Sequence, residues 1–121
     1  MTKDHITTLV KELRAKKGVE VLVKGSKGHA PQSLSYNDSR KSFTPDVVAI
    51  YAKKKHDFYA FEKNITNATL PELIGKWILF ALHARLKSGQ FFLVVDGEKN
   101  GKRCQAIIDR KQLGVELIII K

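Results

Sequence analysis

Cysteine occurs once in this 121-residue chain, at Cys104, so no intrachain disulfide can form. With only four histidines, scattered at His5, His29, His56 and His83, a zinc cluster of ordinary spacing is excluded as well. No apolar run approaches the ~20 residues that a membrane-spanning helix requires. The opening stretch MTKDHITTLV has neither a sustained apolar core nor a small-residue cleavage site, and so does not read as a secretory leader. A phosphate-loop spacing and a Gly-x-Ser-x-Gly nucleophile turn are both missing, which disfavours nucleotide hydrolysis and serine esterase chemistry. These absences make a cytoplasmic protein with no membrane partner the simplest expectation.

Acidic residues are few: 12 Asp and Glu stand against 22 Lys and Arg, leaving a formal charge of +10. Such a balance favours a polyanionic partner, nucleic acid above all, although a Lys-rich soluble protein with no such partner has the same composition. Apolar residues at 43% and charged residues at 28% are the proportions of a folded chain, not of a disordered one. The length suits one domain, residues 1–121, large enough to bury a core without disulfide or metal support.

Periodicity divides the chain into alternating elements. Ile6, Leu9, Val10 and Leu13 mark one face of a helix over residues 4–17, with Asp4 as N-cap and Gly18 as stop. Val19, Val21 and Val23 alternate with Glu20, Leu22 and Lys24, the period of a strand. Residues 25–45, rich in Gly, Ser and Pro, form a long polar loop. The runs DVVAIYA and FYAFEKNI, separated by KKKHD, predict a β-hairpin. Thr69 and Glu72 have capping-box spacing ahead of a helix over residues 70–87, whose apolar residues surround most of its circumference and predict packing on more than one side. FFLVVD is a buried strand, Cys104, Ile107 and Ile108 mark a third helix ending near Gly114, and VELIII closes as a strand. The order α-β-β-β-α-β-α-β predicts an α/β fold with a mixed sheet flanked by helices.

Chemistry concentrates at one place in this plan. Asp46 begins one hairpin strand and Glu62 lies near the end of the other, so antiparallel pairing carries both carboxylates toward the same end of the sheet. Clustered carboxylate oxygens suit a hard divalent cation such as magnesium. The bland alternative has Asp46 shaping the turn after Pro45 and Glu62 pairing with a nearby lysine.

FTPDVVAIYA followed by a hairpin and YAFEKNI resembles the PD-(D/E)XK nuclease superfamily, with Pro45-Asp46 as the first half of the motif and Glu62 as its second carboxylate. The resemblance implies a restriction endonuclease-like fold, magnesium held by Asp46, Glu62 and the carbonyl of Lys63, and hydrolysis of a phosphodiester in nucleic acid, with DNA the expected substrate. In that family a lysine follows the strand acid by two positions, where this chain has Asn64; Lys63, one residue on, belongs to the opposite face of a regular strand. Lys76, in the following helix, matches members whose lysine has migrated there, and the alternative for it is an i, i+4 pair with Glu72. The resemblance therefore implies Asp46, Glu62, Asn64 and Lys76 as the catalytic set. Glu12 could be the extra helical acid of some members, and Glu20 ranks below it.

The expected nucleic-acid contacts are Lys24, Lys27, Arg40 and Lys41 around the long loop and Lys53, Lys54 and Lys55 in the hairpin turn. Tyr36 and Phe43 lie beside the first group, to stack on bases or to anchor the loop. Three readings stay open: a nuclease-like enzyme, active or decayed; a noncatalytic nucleic-acid-binding module of the same fold; and an interaction protein that forms a homodimer.

Overall fold

The computed structural model describes residues 3–36 and 41–120, with side chains from residue 5 onward. The side chain of Asp4, expected as a cap, and Arg40, expected as a phosphate contact, lie outside the described residues. Helix α1 (Lys3–Arg14) is followed by β1 (Glu20–Val23), β2 (Val47–Ile50), β3 (His56–Glu62), α2 (Leu70–Leu86), β4 (Phe91–Asp96), α3 (Glu98–Lys111) and β5 (Val115–Ile120). The five strands form one mixed sheet in sequential order. β1, β2 and β3 run antiparallel, whereas β4 lies parallel to β3 and β5 parallel to β4. No helix among the described residues is long and apolar enough to cross a membrane.

Side-chain alternation assigns the two faces of the sheet. Val21, Val47, Ala49, Tyr59 and Val94 face α1, whose Val10 and Leu13 cover them. Val48, Phe58, Ala60, Phe91, Leu93 and Val95 face the other way, against Trp77, Phe80 and Ala84 of α2 and Cys104 and Ile108 of α3. Phe80 meets Phe91 edge-on, with ring centroids 5.6 Å apart, a favoured aromatic geometry. Both crossover helices thus share a face and α1 takes the other, as β3-α2-β4 and β4-α3-β5 connections between parallel neighbours require. Close docking of α3 depends on Gly101, because a Cβ there would collide with the Ile119 side chain.

Two local expectations need correction. α1 ends at Arg14 rather than at residue 17. The Thr69 side chain makes no cap bond to α2. Its hydroxyl instead donates to the Asn64 carbonyl at 2.7 Å and accepts the Thr66 N–H at 3.0 Å, closing the β3–α2 turn on itself. Along α2, Leu79 is buried as well as Trp77, Phe80 and Ala84, while Ile78, Leu82 and Leu86, four residues apart, are 41%, 48% and 69% exposed. The long loop is held at several points. Leu34 and Phe43 exchange two backbone hydrogen bonds at 2.8 Å and pack against the α2-side core, while Ser33 and Thr44 hydroxyls meet at 2.6 Å. Tyr36 donates its hydroxyl to the Gly75 carbonyl, so both loop aromatics serve as anchors.

Candidate functional site

The hairpin register decides where the carboxylates go. Val47 pairs with Tyr59, so Asp46 at the start of β2 lies at the end of the sheet where β3 finishes with Glu62. The Asp46 N–H donates to the Tyr59 carbonyl at 3.0 Å. Its carboxylate Oδ2 accepts the Phe61 N–H at 2.7 Å, which pins the side chain to the neighbouring strand. Pro45, fully buried, fixes the entry of the chain immediately before it.

Glu62 has the parity of Phe58 and Ala60 and therefore points to the α2 face, where it is 7% exposed. A carboxylate so buried requires compensation. Lys76 Nζ lies 2.7 Å from Oε2, and the indole Nε1 of Trp77 donates to the same oxygen at 2.8 Å. Both contacts fall on Oε2. Asp57, the other buried acid among the described residues, is spent structurally: at the far end of β3 its Oδ1 accepts the Gln90 N–H at 2.8 Å and ties β3 to the start of β4.

Asp46 and Glu62 line one cleft of about 540 Å³, together with Lys63, Asn64, Thr69 and Glu72. Ile6 of α1 and Leu73 of α2 close it from opposite faces of the sheet, so it opens at the carboxyl end of β3. Open α/β sheets bind ligands in such crevices beyond their strand ends. Asn64 is exposed here, on a turn tied down by Thr69 and by Arg103, whose guanidinium reaches the Ile65 carbonyl and the Asn67 side chain. Lys63 borders the cleft although alternation assigns it to the other face, because the strand ends at Glu62.

Lys76 pairs with Glu62 rather than with Glu72, four residues earlier on its own helix. Glu72 is taken by Lys41 at 2.8 Å, and that ammonium, above all, lowers its pKa from the ordinary carboxylate value. Spacing along the chain marked Glu72 as half of a cap and as an i, i+4 partner for Lys76, yet it forms part of the cleft wall. Trp77 carried no sign in the sequence beyond that of a core aromatic. On the α3 side, burial and then the negative charge of Glu62 push the Cys104 thiol up to about 11, so it stays protonated beside the carboxylate.

The remaining expected residues divide between the two ends of the sheet. Lys24 is exposed at the cleft end, its N–H donating to the Asp46 carbonyl at 2.9 Å, and Lys27 follows in the same turn. Lys41 sits on the wall with Glu72. Lys53, Lys54 and Lys55 occupy the turn between β2 and β3, at the opposite end of the hairpin, where Lys55 Nζ lies 5.0 Å from the centre of the Tyr51 ring. Four residues of β2 separate that turn from Asp46, ~13 Å at strand rise. Glu12 borders a different groove, with Leu9 and Val94, and Glu20 begins β1 opposite Ile50, so neither acid joins the cleft.

The donor set fits magnesium, which takes one or two protein carboxylates and completes its shell with water and substrate phosphate. Asp46 and Glu62 both line the cleft and each has one oxygen anchored by the protein, and among the described residues no group of three or more His, Cys, Asp and Glu could hold a metal. No protein-family model, curated protein or solved structure matches the chain.

Proposed function

We propose that this cleft is a metal-dependent phosphodiesterase site of the PD-(D/E)XK kind, acting on nucleic acid, with DNA as the expected substrate. The observation that carries the reading is that the hairpin brings Asp46 and Glu62 to line one cleft, with Lys76 2.7 Å from the Glu62 carboxylate. Asp46 and Glu62 would hold magnesium, with the Lys63 carbonyl as a third donor. Bound there, the ion would polarise the scissile phosphate and make water a competent nucleophile near neutral pH.

The chain's own groups supply the rest. Lys76 compensates the buried Glu62 carboxylate through a charge-assisted contact and would bring a positive charge close to the bound ion's ligand. Asn64, where the family's motif has lysine, provides an uncharged amide able to orient water by hydrogen bonding but unable to neutralise a phosphate. Lys24, whose N–H bonds the Asp46 carbonyl, Lys41, paired with Glu72, and the exposed Lys27 would draw in the nucleic-acid backbone. Asn64 also favours a second reading, a noncatalytic nucleic-acid-binding module that keeps the sheet and the basic mouth.

Incubation of labelled single- and double-stranded DNA and RNA with the protein, in magnesium and then in excess chelator, separates the two. The enzyme reading expects metal-dependent cleavage that falls at least 100-fold in Lys76→Ala, on the order of the loss of one electrostatic transition-state contact. Binding without cleavage by wild type in magnesium or manganese would favour the module.

A further inference from the structure

Trp77 is the only tryptophan in the chain and is wholly buried. Its ring packs in the core between α2 and the sheet, a task that phenylalanine would also perform. What phenylalanine lacks is the N–H, and a buried indole N–H must find an acceptor. Here the acceptor is the Glu62 carboxylate, at 2.8 Å. Lys76 and Trp77 are consecutive on α2 and converge on the same oxygen, Lys76 with a side chain 18% exposed and Trp77 from within the core. Two donors on one oxygen hold the carboxylate in one orientation more firmly than a flexible lysine alone, since the indole is part of the packed core.

We propose that Trp77 is a positioning residue for Glu62: its indole N–H locks Oε2 beside Lys76 so that Oε1 is presented to a divalent cation in the cleft. The inference rests on the metal-site reading above and assigns to α2 a role in metal affinity. Partners that hold a ligand's second oxygen set its orientation and basicity, and their loss costs about 10- to 100-fold in metal affinity. The neutral Cys104 thiol on the α3 side adds no competing charge to the arrangement.

The test compares wild type, Trp77→Phe and Glu62→Gln by magnesium calorimetry well below each protein's melting temperature, with tryptophan emission followed in the two that retain the indole. The expected result is a magnesium Kd about 10- to 100-fold weaker in Trp77→Phe. Wild-type emission should change over the same magnesium range as the heat, and Glu62→Gln should show neither signal. A purely structural tryptophan would lower the melting temperature of Trp77→Phe and leave the Kd unchanged, which would overturn the proposal. If Trp77→Phe does not fold, the wild-type emission decides: no change while calorimetry shows a filled site overturns it. Absence of any magnesium or manganese heat in wild type would instead remove the metal-site reading itself, and the proposal with it.

Discussion

Glu62 and Cys104 illustrate how individual residues here are governed by neighbours remote in sequence. The thiol, raised from 9.0 to about 11 by burial first and Glu62 second, is neutral in the folded protein at pH values where an unfolded chain would already ionise it. A raised folded-state pKa gives a stability contribution that is complete below about 9 and is lost as pH climbs toward about 11. Urea unfolding of wild type and Cys104→Ala should therefore show the wild-type advantage shrinking across that interval and constant below it. An advantage independent of pH would contradict the assignment. Gly101→Ala is expected to destabilise by about 1 kcal/mol, because the added methyl must displace the half-exposed Ile119 side chain. Thermal melting measures it, and an unchanged melting temperature would show that β5 yields freely.

At the scale of elements, the parts legible in the sequence were those set by local pattern. The β-branched DVVAIYA run and its partner form β2 and β3, and the apolar face of Ile6, Leu9, Val10 and Leu13 forms α1. The carboxyl convergence at Asp46 and Glu62 followed from the hairpin alone, since antiparallel pairing brings the start of one strand to the end of the next. What local pattern misjudged was decided by partners far along the chain. The i, i+4 rule offers Glu72 to Lys76, but Glu62, 14 positions away and 7% exposed, is the stronger claimant because its burial demands a partner. Thr69 has capping-box spacing, yet its hydroxyl serves the turn from β3 instead. The Trp77–Glu62 bond depends on how α2 crosses the sheet, which no spacing encodes. Nothing in the composition of the polar loop over residues 25–45 showed that Tyr36 fastens it to the Gly75 carbonyl. Tyr36→Phe should cost about 0.5–1.5 kcal/mol in global stability, the worth of one ordinary hydrogen bond. Amide exchange in residues 30–36 should quicken more than in the strands, and protection equal to wild type would show that the backbone bridge alone orders the loop.

Across the whole molecule, a charge of +10 does not by itself say where a polyanion lies, because lysines occupy both ends of the sheet. Geometry divides them. Lys24, Lys27 and Lys41 are at the cleft end, whereas Lys53, Lys54 and Lys55 are at the far turn. On duplex DNA each phosphate contact adds about 0.9 to the slope of log affinity against log salt. Lys24→Ala is accordingly expected to lower that slope by about one, while the triple alanine variant at 53, 54 and 55 leaves metal-dependent cleavage unchanged. A loss of cleavage in the triple variant would mean that the substrate runs the length of the hairpin.

The proposed function depends most on Asp46 and Glu62 acting as one cation site, and calorimetric titration of magnesium and manganese into wild type, Asp46→Asn and Glu62→Gln tests that directly. These substitutions keep side-chain volume, and melting curves establish that each variant is folded. One saturable site is expected in wild type, and it should disappear in both variants. No binding in wild type, or binding that survives both substitutions, would contradict it.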